Sequence, residues 1–280
     1  MTQQAIDSTI DIVWSAYRSI LSKAGSLAYA STAITSGVLM QDIMDDTGLT
    51  EAELKSSPEF FSLVIKPNLD RGVFFSRQIA ATSDRPVVAP AIFEGKPQRW
   101  TQADYMKMWL AMIEEHVTQM YMLPGWEYSN GGCEEYLKAV NMAWGFGQRH
   151  DIVPMTPDGA WLPLDKGMEL IAAALVDIHD RGRKADSLAS TFDALYGAYY
   201  VWIAREIRRD DLPKEFNREF MQSTDYYRVG KIHDGLDTLL REDYKHLDLR
   251  CVNSVEGAMR ELSAMPEGII IVPEEVEEDK

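Results

Sequence analysis

A chain of 280 residues with 46% hydrophobic content is long enough to bury a substantial core, as one large domain or one domain plus an appendage. A formal net charge of -16 and a pI near 4.7 argue against a broad phosphate-backbone footprint, so the expected ligand is small and a nucleic-acid polymer is not an expected partner. Two cysteines are too few for a disulfide framework and no apolar run reaches the roughly 20 residues of a membrane span, so a reducing cytoplasm, with no membrane contact, is the expected setting. In chain order, Ile6 to Leu21 carries apolar residues at helical intervals, among them Ile10, Val13, Trp14 and Tyr17, and makes residues 1–24 an N-terminal helix with no signal-peptide core. Thr50 is a cap signal before a short helix, Ser56 to Asn68 is read as an insertion flanking a pocket, and Leu69 to Ala81 is the next helix. A strand at Val87 to Ala89 ends in Pro90-Ala91, a loop runs to Trp100, and Thr101 to Thr118 is a long helical pattern that feeds an apolar strand, Val117 to Leu123. The β-α-β alternation implies a parallel sheet.

Beyond Pro154 the pattern becomes helical, at Asp165 to Arg181 and Ser187 to Arg209, with Arg181-Gly182-Arg183 between them. The second helix carries an aromatic stripe of Phe192, Tyr196, Tyr199, Tyr200 and Trp202, read first as packing between helices or subunits and second as a base-stacking surface. Leu247 to Val252, Val255 to Leu262 and Ile269 to Val272 read as strand, helix, strand, ahead of an acidic tail at Glu274 to Lys280. The expected organisation is an N-terminal helix (1–24), an α/β domain (25–155) and a mainly helical C-terminal region with an acidic tail (156–280).

The strand from Val117 to Leu123 turns on Pro124-Gly125 and passes through Ser129-Asn130-Gly131-Gly132 into a helix from Glu134 to Trp144. Ligands bind where such strands end. Glycines let a ligand approach the backbone, the new helix offers unpaired N–H groups, and Glu135 is expected inside its first turn. Neighbouring Glu134 points about 100° away on a helix, so only one of the two faces the strand ends. The five histidines have no metal-ligand spacing, and no phosphate-binding loop or dinucleotide fingerprint is present, so neither a metal nor a cofactor is expected.

The pattern W-x-x-S-x-G-x-x-x-E at Trp126, Ser129, Gly131 and Glu135 resembles the signature of the nucleoside 2-deoxyribosyltransferase superfamily, which also contains deoxynucleoside 5′-monophosphate N-glycosidases. With Leu123-Pro124-Gly125 ahead of it, the pattern is similar to an uncharacterised bacterial and phage branch. Ala28-Tyr29-Ala30-Ser31-Thr32-Ala33-Ile34-Thr35-Ser36-Gly37 resembles the family's first strand and substrate loop, and Arg85-Pro86-Val87-Val88-Ala89-Pro90-Ala91 its V-x-x-P-A strand end. The three stretches cover roughly residues 25 to 155 in the family's order. The resemblance implies a three-layer, flavodoxin-like or Rossmann-like parallel sheet core with a mainly helical C-terminal extension. It implies Glu135 as nucleophile, Tyr29 as the family tyrosine, and substrate contacts from Ser31, Thr32, Thr35, Trp126, Ser129, Asn130, Gly131 and Gly132. A homo-oligomer, dimer or higher, is expected both from the family and from the aromatic C-terminal helices.

N-glycosidic cleavage builds positive charge at C1′, which a carboxylate stabilises and captures. The resulting ester is opened by a second base in transfer or by water in hydrolysis, as in retaining glycosidases. The chain departs from the family at two usual acids, where it has Leu110 and Thr118, so Asp104 is taken as the remaining catalytic acid, with Glu114 on the same helix. Where the monophosphate glycosidases place an arginine and a further serine, the chain has Thr35 and Ala33, with Arg77 and Arg99 as basic substitutes. Trp100, with Tyr105 and Trp109, is a candidate base-stacking residue. The expected activity is cleavage or transfer at the N-glycosidic bond of a nucleoside or its 5′-monophosphate. The rival expectation is a catalytically silent nucleotide-binding protein whose C-terminal region contacts a partner.

Overall fold

The computed structural model describes residues 25–92, 101–143, 152–206 and 239–247, with Ser15, Leu236 and Leu249. The stretches expected at Ile6 to Leu21, at Val255 to Leu262 and at Ile269 to Val272, and the acidic tail, lie outside the described residues apart from Ser15, which is helical. Four described strands, β1 (Leu27–Ser31), β2 (Val87–Val88), β3 (Val117–Met122) and β4 (Val153–Met155), form one all-parallel sheet in the order β2-β1-β3-β4. The chain leaves β1 toward one edge and returns to its other side, so the sheet reverses direction between β1 and β3. That reversal is where doubly wound sheets open a ligand crevice, and the α/β, flavodoxin-like reading of the chain holds.

The crossover from β1 to β2 carries three helices, α1 (Val38–Thr47), α2 (Glu51–Ser56) and α3 (Lys66–Thr82), the last entered through a π turn at Phe61–Ile65. Thr50 starts α2 with a capping box, its hydroxyl accepting from Glu53 N while Glu53 accepts from Thr50 N. α4 (Gln102–His116) joins β2 to β3 and α5 (Asn130–Ala143) joins β3 to β4. β1 is fully buried because helices cover both of its faces. Its alternation assigns Leu27 and Tyr29 to the main core and Ala28 and Ala30 to a smaller cluster with Ile79 of α3, Ala89 and Tyr121. β3 is bulged against β1: Leu27 pairs with Val117 but Ala28 with Gln119. The extra residue lets Val117 and Met120, three apart, both reach the main core.

α6 (Leu164–Asp180) and α7 (Asp186–Glu206) follow. They do not form a separate body: Ile171, Leu175, Leu188 and Phe192 lie in the same buried cluster as Tyr29, Trp109 and Met120. In the aromatic stripe Phe192 and Tyr196 stack with centroids 6.3 Å apart inside that core, so these two pack within the chain; the side chains of Tyr199, Tyr200 and Trp202 lie outside the described residues. Of the strand expected at Leu247 to Val252, Leu247 is a bend and Leu249 is irregular. The N-terminal half of the described C-terminal region is therefore the outer layer of the core itself.

One packing contact in this layer permits no side chain. Tyr136 of α5 is fully buried and donates to Pro163 O at 3.1 Å. A Cβ on Gly167 of α6 would fall 2.2 Å from the Tyr136 hydroxyl oxygen. Gly167→Ala is predicted to lose about 1–3 kcal/mol by overpacking, read as a lower urea midpoint at unchanged slope, and an unchanged midpoint would refute the packing argument.

Candidate functional site

The residues after β3 form a chain of local signals. Leu123-Pro124-Gly125-Trp126 is a turn closed by Trp126 N donating to Leu123 O at 3.1 Å, with Gly125 at φ 88°; Pro before a positive-φ glycine is the type II pattern. A short 3-10 turn, Trp126–Tyr128, brings the backbone to Ser129. Ser129 caps α5, its Oγ accepting from Gly132 N at 3.3 Å. The helix thus starts at Asn130 rather than Glu134, and Glu135 stands in its second turn, a correction to the position expected from the sequence. Facing it, the loop after β1 turns on Gly37, at φ 93°, where a Cβ would approach Ala33 Cβ to 2.7 Å. Buried Asn68 of α3 pins that loop by donating to Ile34 O and Ser36 O, both at 3.1 Å.

The strand's period of two puts Tyr29 and Ser31 on the same face of β1, the face α5 covers. Tyr29 Oη donates to Glu135 Oε1 and Ser31 Oγ donates to Oε2, both at 2.6 Å. Tyr29 and Ser31 are fully buried and Glu135 is 4% exposed. Hydrogen bonds to a charged group contribute about 1.5–3 kcal/mol each, enough to fix the plane of the carboxylate. Ser31, expected among the substrate contacts, thus holds Glu135.

A cavity of 440 Å³ opens above this clasp at the carboxyl ends of β1 and β3. Glu135, Thr32, Thr35, Ser129, Asn130, Gly131 and Gly132 line it, which brings together most of the residues singled out from the sequence. Ser36 Oγ donates to Ser129 Oγ at 3.1 Å, so the loop after β1 and the cap of α5 meet across the cavity floor. Trp109 also lines it, edge-on to Tyr29 at 6.3 Å.

Two expected site residues stand elsewhere. Trp126 does not line the cavity; it is 2% exposed and tilts against Tyr136 at 4.7 Å, a core plug beneath the turn. Asp104 is the third residue of a capping box, Thr101 N and Oγ1 both donating to its Oδ2 at 2.7 Å, and it is absent from the cavity lining. The acid expected there is a helix cap. Trp100 lies outside the described residues. Thr118, expected from the resemblance to stand at an acid position, accepts from the Arg85 guanidinium at the opposite, amino-terminal end of β3.

Two neighbours of Glu135 could compete for its role. Cys133 is fully buried beside Trp126 O, and burial, then Glu127, Glu134 and Glu135, push its thiol well above the usual range, so it stays protonated and weakly nucleophilic. Glu134 is half-buried, is raised by that burial, and does not line the cavity.

Sequence reasoning missed the far wall. The end of the α6–α7 connector and the first turn of α7, Lys184 to Leu188, line the cavity together with Gln41 and Met40 of α1 and Lys55 of α2. Arg181 Nη1 bonds Asp42 at 2.9 Å and Asp45 at 2.7 Å, tying the connector to α1. The only advance signal was polar Gln41 interrupting the buried stripe of α1 that runs through Met40 and Met44. The cavity carries Lys55 and Lys184 against Glu51, Glu135 and Asp186. Among the described residues no group of three or more His, Cys, Asp or Glu is placed to hold a metal ion, and no helix is long and apolar enough to cross a membrane.

A family model described as a domain of unknown function (DUF4406) matches residues 73–144, which span the end of α3, β2, α4, β3 and α5 with Glu135, and leave out β1. The comparisons with curated proteins and with solved structures return no match.

Tyr128 joins the cavity wall to α6, its hydroxyl donating to Asp177 Oδ2 at 3.1 Å. Burial first, then Asp177, raises this phenol from 10.0 to about 12. Because the folded value lies above the unfolded one, the contribution is whole below pH 10 and is lost as pH rises toward 12. The urea midpoint of the wild type is predicted to fall relative to Tyr128→Phe across that window; parallel curves would contradict the assignment.

Proposed function

We propose that the protein cleaves or transfers at the N-glycosidic bond of a nucleoside or nucleoside 5′-monophosphate, with Glu135 as the nucleophile. The observation that carries the reading is a buried carboxylate held by two hydroxyls at the floor of a cavity, at the sheet's point of reversal. The resemblance of the three sequence stretches to 2-deoxyribosyltransferases supports it independently. In this reading a Glu135 oxygen attacks C1′, the C1′–N bond breaks, and the base leaves with the bonding pair and takes up a proton. Asp186, Glu51, Lys55, Lys184 and Tyr128 are the cavity's further titratable side chains and the candidates for that role. Water or a second base then attacks C1′ of the ester and restores the carboxylate. Tyr29 and Ser31 are positioning residues, since they present the carboxylate in one orientation. The Ser129 hydroxyl and the Gly131 N–H at the start of α5 suit an anion such as a 5′-phosphate, and a homo-oligomer remains part of the proposal by family resemblance.

A second reading, a nucleotide-binding protein without turnover, is favoured by the capping role of Asp104 and by Leu110 and Thr118 at the other acid positions. Base release separates the two. Deoxynucleosides, their 5′-monophosphates and NAD are offered in turn, with and without an acceptor base, and free base is followed by chromatography. Glu135→Gln is predicted to lose turnover by about 10³-fold or more while still being protected by ligand against thermal unfolding, and Glu134→Gln to lose far less. Equal loss in both variants, or retained activity in Glu135→Gln, would refute the nucleophile.

A further inference from the structure

Gln41 lines the cavity although it is only 6% exposed. Its amide is held in one orientation: Arg183 Nη1 donates to Gln41 Oε1 at 3.0 Å and to the Gln41 backbone oxygen at 3.2 Å. A guanidinium has donors and no acceptor, so only the amide oxygen can face it. Nε2, with two donor hydrogens, is thereby turned away from Arg183, and among the described residues it has no acceptor. Arg183 is itself anchored, its Nη2 paired with Asp45 Oδ1. The arrangement is a fixed donor without a partner among the described residues, in the cavity that the start of α5 also lines.

We propose that Gln41 reads the ligand, its Nε2 donating to an acceptor oxygen, and that Arg183 is the positioning residue which stops the amide from flipping. The inference rests on the nucleoside reading above and extends it to selectivity. The acceptor oxygen has two sources in such a ligand, an exocyclic carbonyl of the base or a phosphate oxygen. A donor-only reader facing a carbonyl accepts a keto base and rejects the amino base of the same shape, because two donors then face each other. One facing a phosphate instead favours the monophosphate over the nucleoside whatever the base.

The test is calorimetric binding to the full chain, which does not depend on turnover, using 2′-deoxyuridine, 2′-deoxycytidine and 2′-deoxyuridine 5′-monophosphate. Gln41→Glu keeps an acceptor toward Arg183 but replaces the donor with an oxygen, and Gln41→Met removes both without adding charge. If the partner is a base carbonyl, the wild type favours deoxyuridine over deoxycytidine by roughly 10-fold or more, and the ratio collapses in Gln41→Met and inverts in Gln41→Glu. If it is a phosphate oxygen, the advantage of the monophosphate over deoxyuridine falls in both variants while the ratio between the bases stays. Arg183→Leu weakens whichever ratio Gln41 controls, which loss of fold alone would not do. Ratios unchanged within about 2-fold in both Gln41 variants overturn this proposal and leave the nucleoside reading standing; no binding of any of the three, nor of 2′-deoxyguanosine or 2′-deoxyadenosine, to the wild type overturns both.

Discussion

Two hydroxyls on one face of a single strand hold both oxygens of a buried carboxylate, and the site is arranged around that clasp. Tyr29 and Ser31 reach Glu135 from β1 at 2.6 Å each. The contact joins residues more than 100 positions apart, so it forms only when β1, β3 and α5 have assembled. A buried carboxylate without partners is costly. The clasp therefore links fold and function: the sheet must set α5 in one position for Glu135 to be satisfied, and in that position the same carboxylate faces the cavity.

The remainder of the site follows from how the chain leaves the two central strands. After β1 the backbone turns on Gly37, with Asn68 fixing Ile34 and Ser36. After β3 it turns on Pro124-Gly125, and Ser129 caps α5. The hydroxyls of Ser36 and Ser129 meet between the two. The third side is supplied by the connector between α6 and α7, held to α1 by Arg181 and Arg183 through Asp42, Asp45 and Gln41. Among the described residues this closure comes from the same chain, and it makes the C-terminal region part of the site as well as of the core.

The parallel sheet, the strand before the turn and the two C-terminal helices were legible because each has a strong local signal: a short apolar run bounded by Pro-Gly, or an apolar stripe of helical period. Tyr29, Glu135 and Ser129 were legible through the motif pattern. β4 was not, since three residues including Pro154 carry no alternation. Trp126 was misjudged because motif membership does not separate a residue that shapes the turn from one that touches ligand, and Asp104, taken as a substitute for the missing acids, because an acid on the right helix can equally be its cap. The bond from Ser31 to Glu135 was not legible, since only the register of β1 against α5 shows that this hydroxyl ends on Glu135. Gln41 and Arg183 were invisible as a pair: their link spans 142 positions and depends on α6 and α7 folding back over α1.

The central claim is that Glu135, in its hydroxyl clasp, becomes covalently joined to the sugar. The most direct measurement is mass spectrometry of the protein after rapid acid quench with a 2′-fluoro-substituted deoxynucleoside, whose fluorine slows opening of the glycosyl ester by disfavouring positive charge at C1′. The account predicts a mass increase equal to the sugar, located by peptide fragmentation on Glu135 and absent from Glu135→Gln. An adduct on another residue, or base release at the wild-type rate from Glu135→Gln, would contradict it.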